Sequence, residues 1–247
     1  MLKQTLFDLN KVFDKDYYQY LQQGRDDKSD TDFIIKTLNL TKEDAILDIG
    51  MGNGRILQQL FNKGFKNLTG IEQSRELYLQ ALQYRGLEEV DLVNDDFLEH
   101  DFKNQFDKIF FFFTGFGYYD DLTNKRIIQK IASLLKSNGL FLLDLTGQGS
   151  IRRMLNYKQE ISRGGLIIKP IAQYNKRKKV FSMVYPAFNK KGQKVKEYVF
   201  KYRVYTPEEI KLILVKFGLK ITAQYGNYMS GEMSEESPRN IYIAKKI

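Results

Sequence analysis

From Ala45 to Thr146 the chain repeats one unit: a short apolar run, a turn, then an amphipathic stretch. Ala45–Ile49, Asn67–Ile71, Val90–Asn94, Phe106–Phe113 and Gly139–Thr146 read as five strands. Arg55–Lys63, Ser74–Arg85 and Leu122–Lys136 read as helices between them, two of them closed by Gly64 and Gly86. Strands separated by helices pair in parallel through right-handed crossovers. The expected fold is therefore α/β, with an open, doubly wound, Rossmann-like sheet.

The period changes near residue 157. Leu166–Tyr174, Lys179–Phe188 and Lys194–Tyr205 follow one another with turn residues between them, which predicts an antiparallel β-meander. Thr206-Pro207-Glu208-Glu209 then opens another helix, and strands near Leu219–Tyr225 and Asn240–Lys245 close the chain. The meander is thus inserted into the α/β core. Residues 1–43 read as an N-terminal helical lid, with a helix starting near Ser29 or Asp30. The expected organisation is that lid, a core of 44–150 and 206–247, and a cap of 151–205.

Composition removes several chemistries. The chain has no Cys and a single His, so thiolate nucleophiles, cysteine-ligated metals and Ser-His-Asp hydrolysis are excluded or left almost without means. No metal site is expected. Apolar runs such as Ile109–Phe113 are too short to cross a bilayer, and the first residues show no secretion signal. A cytoplasmic enzyme or binding protein is the expectation. The net charge of +9 is unevenly spread: residues 151–203 net +13 and the remainder nets −4. A basic insert either attracts phosphates or keeps a sheet edge soluble.

Four motifs fall at the ends of the first four strands, where such a sheet opens its binding crevice. Asp48-Ile-Gly50-Met-Gly52-Asn-Gly54-Arg55 is a glycine loop leading into a helix N-terminus; its G-x-G-x-G spacing is not the dinucleotide fingerprint. Glu72 ends the second strand, placed to accept from ribose hydroxyls. Asp96-Phe97 follows the third, pairing a carboxylate with an aromatic ring. Phe110-Phe-Phe-Phe-Thr114-Gly-Phe116-Gly-Tyr118-Tyr119 starts as the buried fourth strand and ends rich in glycine and aromatic residues at the carboxyl edge of the sheet.

In this order the motifs resemble the class I S-adenosylmethionine-dependent methyltransferases, over roughly residues 30–146 and 206–247. The meander, Tyr202–Glu209 and Ser237-Pro-Arg239 resemble the subgroup with a small antiparallel sheet capping the site. The resemblance implies a seven-stranded sheet whose last strand is antiparallel. It implies S-adenosylmethionine as cofactor, with Gly50, Gly52 and Gly54 along its methionyl and ribose parts and Asp48 ordering their loop. Glu72 would hold the ribose, Asp96 the adenine amine, and Phe97 the surroundings of the ring. Gln73 stands where an apolar residue is common, Phe113 would border the cofactor, and Arg25 would reach its carboxylate.

For transfer itself, Tyr17, Tyr18, Phe116, Tyr118 and Tyr119 are candidates for an aromatic wall facing a cation; the N-terminal tyrosines have core packing as an alternative. Arg203 would meet an anionic substrate group, or else pair with Glu197. His100 reads as a loop histidine and Asp144 as a residue shaping the cleft. The expected activity is N- or O-methyl transfer to a small molecule by in-line displacement, in a monomer or homodimer without membrane contact. An RNA substrate held by the basic insert is the alternative, and a non-catalytic cofactor-binding protein is a third.

Overall fold

The computed structural model describes residues 5–7, 9, 12, 13, 26–113 and 115–247. The core begins with α1 (Asp27–Leu38), β1 (Ile46–Ile49), α2 (Arg55–Asn62), β2 (Leu68–Ile71), α3 (Arg75–Ala81) and β3 (Asp91–Val93). It continues through β4 (Phe106–Phe111), α4 (Asp121–Leu134), β5 (Leu135–Thr146) and α5 (Gln148–Asn156). The cap holds β6 (Ile161–Arg163), β7 (Leu166–Ile168), β8 (Ile171–Asn175), β9 (Val180–Phe188) and β10 (Lys194–Arg203). The core resumes with α6 (Pro207–Lys216), β11 (Leu219–Tyr225) and β12 (Arg239–Lys246).

Seven strands form one sheet in the order β11-β12-β5-β4-β1-β2-β3. β1 to β5 are parallel, and β12 runs antiparallel between β5 and β11. Apolar layers cover both faces. Ile34 and Leu38 of α1 and Leu57 and Leu60 of α2 pack with Ile46 and Ile243 on one side. Ile128 and Ile131 of α4 and Leu214 of α6 pack with Phe141 and Leu143 on the other. The central strand β1 is buried along its whole length, as a parallel strand covered on both faces must be. Among the described residues, no helix is long and apolar enough to cross a membrane.

Local chemistry sets the helix starts. Ser74 accepts from Leu77 N–H, Asp120 accepts from Thr123 N–H, and Thr206 with Glu209 forms a reciprocal capping box. The first helix begins earlier than the sequence indicates. Asp26 is its cap, accepting from Ser29 N–H at 3.0 Å, because Asp30 is turned instead toward Arg55.

The cap differs from the expectation in three details. α5 precedes it, where the sequence showed only a connection. β6 pairs with β7 and adds a hairpin. The expected run Leu166–Tyr174 is split by Pro170, yet β7 and β8 both pair with the same edge of β9. Tyr198 and Tyr202 of β10 turn inward as their alternation requires, Tyr202 onto Phe181 at 5.2 Å.

The cap is fastened to the core at the β4–α4 loop and at α6. Arg203 N–H donates to Gly117 O at 2.8 Å. Gly117 has φ +100°, and a Cβ there would lie 3.0 Å from Arg203 O. The Arg203 side chain contacts Glu209 at 2.7 Å and Asp121 at 3.1 Å, and Lys179 contacts Glu209 at 2.8 Å. Burial raises the Glu209 carboxyl, but hydrogen bonds from Lys179, Arg203 and Thr206 N–H outweigh it and hold the group at about 2. A carboxyl lowered on folding stabilises above its ordinary value and loses that contribution as pH falls through the folded one. The expected result is a loss of stability between about pH 4.5 and pH 2 that is smaller in Glu209→Gln, read from thermal unfolding against pH.

Candidate functional site

A crevice opens at the carboxyl ends of β1 to β4. Of the residues singled out in the sequence, it brings together Asp48, Gly50, Gly52, Glu72, Gln73, Asp96, Phe97, Phe113, Tyr118 and Tyr119. Gly54 does not line it; it caps α2 with φ +78°, and a Cβ there would come within 2.9 Å of Leu87 and 3.0 Å of Ala81. Arg25, Tyr17 and Tyr18 lie outside the described residues.

The glycine loop owes its shape to backbone conformation. Gly50 and Gly52 have φ of +68° and +60°, where a side chain would be strained. Glu72 holds the loop: its Oε2 accepts from Gly52 N–H at 2.9 Å and its Oε1 from Ser74 N–H at 2.7 Å. Each carboxylate oxygen accepts more than one hydrogen bond, so both retain capacity toward the crevice. Burial nonetheless raises the Glu72 carboxyl above its ordinary value, against the backbone bonds that lower it. Asp48 was expected to order the loop. Among the described residues no hydrogen bond to its carboxylate is found; the loop is ordered by Glu72 and by the Gly50 and Met51 N–H bonds to Ile71 O. Asp48 is buried at the base of the crevice and pushed well up by desolvation, with Arg55 opposing and Glu72 reinforcing the shift.

Arg55 is the crevice residue that sequence reasoning passed over. Its Nη1 meets Asp27 and Asp30 at 2.8 Å each, tying the start of α1 to the start of α2. The available signal was an arginine in the third-glycine position, with two carboxylates, Asp27 and Asp30, at the start of the first helix.

On the adenine side, Asp96 accepts from Leu98 N–H at 2.9 Å, and Lys130 lies 5.4 Å over the Phe97 ring. His100 stands apart from the crevice, its Nδ1 3.2 Å from Asp95 and its ring edge-on to Phe102. Gln73 accepts from the Tyr119 hydroxyl at 3.2 Å. Burial, with a smaller contribution from Glu72, pushes that hydroxyl up to about 12, so it stays protonated at neutral pH.

The roof comes from the chain itself. Thr5 bridges to Tyr119, and Leu6 N–H donates to Tyr118 O at 2.9 Å. Phe7 and Phe13 pack on Tyr118 at 5.1 and 5.8 Å and on Phe200 of the cap. Phe116 was a wall candidate, but it is a core residue, packed on Phe111 and Tyr205. Arg203 does not reach the crevice. Its guanidinium is engaged by Glu209 and Asp121, while the expected partner Glu197 pairs with Lys194.

The residues present fit S-adenosylmethionine: a loop with room for a close ligand, a buried carboxylate with acceptor capacity left for a diol, and aromatic rings on the far side. Glu72→Gln replaces an acceptor with a donor and is expected to weaken S-adenosylhomocysteine binding about tenfold or more by calorimetry. Unchanged affinity would remove Glu72 from the site. Arg55→Met removes a buried ion-pair partner of Asp30 and is expected to cost about 3 kcal/mol in urea unfolding.

Residues 46–139 match the family model described as "Methyltransferase domain". The EEF1A lysine methyltransferase 2 of Danio rerio is 32% identical over 118 residues, covering 44% of this chain and 51% of that protein. The chain thus spans about half the length of that relative. Among solved structures, an S-adenosylmethionine-dependent methyltransferase from Clostridium acetobutylicum superposes with a TM-score of 0.79 at 22% identity, over 93% of this chain and 96% of that one. CalS10, an amino pentose methyltransferase of Micromonospora echinaspora bound to its cofactor, superposes with a TM-score of 0.69 at 16% identity, over 91% and 93%. Residues 46–139 are therefore similar to a methyltransferase domain, and the chain has the fold of the S-adenosylmethionine-dependent methyltransferases on which it superposes.

Proposed function

We propose that this chain transfers a methyl group from S-adenosylmethionine to an amine on a small molecule. The observation that carries the reading is the lining of the crevice, where Phe13, Phe97, Phe113, Tyr118 and Tyr119 stand beside the carboxyls of Asp48, Glu72, Asp95 and Asp96. The cofactor, when bound, supplies an electrophilic methyl group on a sulfonium. The chain's own part is alignment: nucleophile, methyl carbon and sulfur must come nearly into line.

Phe13, Phe113 and Tyr118 are among the residues lining the crevice. A ring face favours a cation by about 0.5–2 kcal/mol per contact. Asp48, Glu72, Asp95 and Asp96 line the crevice, and the one arginine among the described residues that line it, Arg55, is engaged by Asp27 and Asp30. An acidic, aromatic crevice in a chain of net charge +9 favours a cationic or basic occupant over an anion. Tyr119 keeps its proton, and the single histidine lies elsewhere. An amine needs neither, since it releases its proton to water. The lysine and amino pentose in the names of the similar proteins are both amines, which supports the reading.

RNA is the second reading, favoured by the +13 insert. Its basic tips, 175–179 and 189–193, sit at opposite ends of β9. Nine residues of strand separate them by about 30 Å. Lys169, Lys179 and Lys194 are already ion-paired. This arrangement suits a soluble sheet edge better than a continuous phosphate track.

The test is transfer of labelled methyl from S-adenosylmethionine into a fractionated lysate of the protein's own organism. The expected label is in the low-molecular-weight fraction, on nitrogen by mass spectrometry. Label confined to an RNase-sensitive or protease-sensitive polymer would overturn the small-molecule assignment.

A further inference from the structure

Behind the crevice lies a buried ion pair that does not line it. Asp144 of β5 is 0% exposed. Its Oδ1 accepts from Arg239 Nε of β12 at 2.8 Å. Its Oδ2 accepts from two donors, the Phe113 N–H at 2.7 Å and the Tyr228 hydroxyl at 2.8 Å. The Arg239 guanidinium also lies 5.4 Å from the centre of the Phe113 ring and 5.7 Å from that of Tyr228.

Phe113 is the residue on which these contacts converge. It has φ +61°, a left-handed conformation that a phenylalanine rarely adopts and that is strained when it does. Its N–H donates to a buried carboxylate, and its ring is flanked by a buried cation. A buried ion pair contributes little net stability, and well-packed apolar residues often replace one without loss. Stability alone therefore gives a weak reason for this pair. Its contact with a strained residue of the crevice wall gives a stronger one.

We propose that Asp144, Arg239 and Tyr228 are positioning residues: they fix Phe113 in its left-handed conformation and thereby set the crevice wall against which cofactor and acceptor align. The inference rests on the crevice being the methyl-transfer site.

The experiment uses the full chain with 4-fluorophenylalanine in place of Phe113. Its fluorine NMR spectrum is recorded with saturating S-adenosylhomocysteine, in the parent, in Tyr228→Phe and in Asp144→Asn. The parent is expected to give one resonance. Each variant is expected to show a second one, with at least a threefold loss of S-adenosylhomocysteine affinity, although neither residue reaches the crevice. A resonance unchanged from the parent, or an unchanged affinity, overturns the proposal; a purely structural role would lower the unfolding midpoint and leave both alone. Should Asp144→Asn fail to fold, Tyr228→Phe decides, since it removes one hydroxyl and keeps the ion pair. A parent that does not bind S-adenosylhomocysteine removes the methyltransferase reading instead, and the comparison of resonances still reports on Phe113.

Discussion

The carboxylate of Glu72 takes the N–H of Gly52 on one oxygen and the N–H of Ser74 on the other. Those two bonds join the end of β2 to the loop after β1 and to the cap of α3. With the Gly50 and Met51 N–H bonds to Ile71 O, they hold in one shape a glycine loop that is free to turn either way at Gly50 and Gly52. Burying that carboxylate is unfavourable, and backbone donors offset only part of the penalty. A charge kept in such a place, with acceptor capacity left toward the crevice, fits a group that serves a ligand as well as the fold.

The electrostatics divide the molecule. Carboxylates gather at the strand ends, while lysines and arginines gather on the insert. Arg55 crosses this division: it enters the acidic crevice, yet Asp27 and Asp30 take its charge, so the crevice keeps its sign. Arg203 is treated in the same manner at the cap, where Glu209 and Asp121 hold it. In both places a cation that faces a ligand in isolation serves as a fastener between elements.

Features built within a few residues were readable from sequence. The glycine loop, the Ser74 cap and the Thr206–Glu209 box each depend on neighbours in the chain, and the alternation of strands and helices fixed the doubly wound sheet with its inserted meander. Features made by long-range approach were not. Asp144 and Arg239 are 95 residues apart, and nothing local marks them as a pair. Arg203 was legible as a cation that needs a partner, but Glu209 and Asp121 become its neighbours only when the cap docks. α5 was missed although Ile151, Met154 and Leu155 have helical spacing, because Gln148-Gly-Ser-Ile-Arg-Arg-Met-Leu-Asn156 is short, carries a glycine early and has no side-chain cap. The helix start at Asp26 was displaced because Asp30, a good cap by type, is recruited by Arg55.

The N-terminal strap has a kinetic consequence. Thr5 and Leu6 hydrogen-bond to the same loop that supplies Tyr118 and Tyr119, and Phe7 and Phe13 fill the gap between Tyr118 and Phe200. Where this strap lies over the crevice, a molecule entering or leaving displaces part of the protein's own chain. If those few bonds and ring contacts had to part for each exchange of ligand, the rate of their parting would cap turnover whatever the speed of the chemical step.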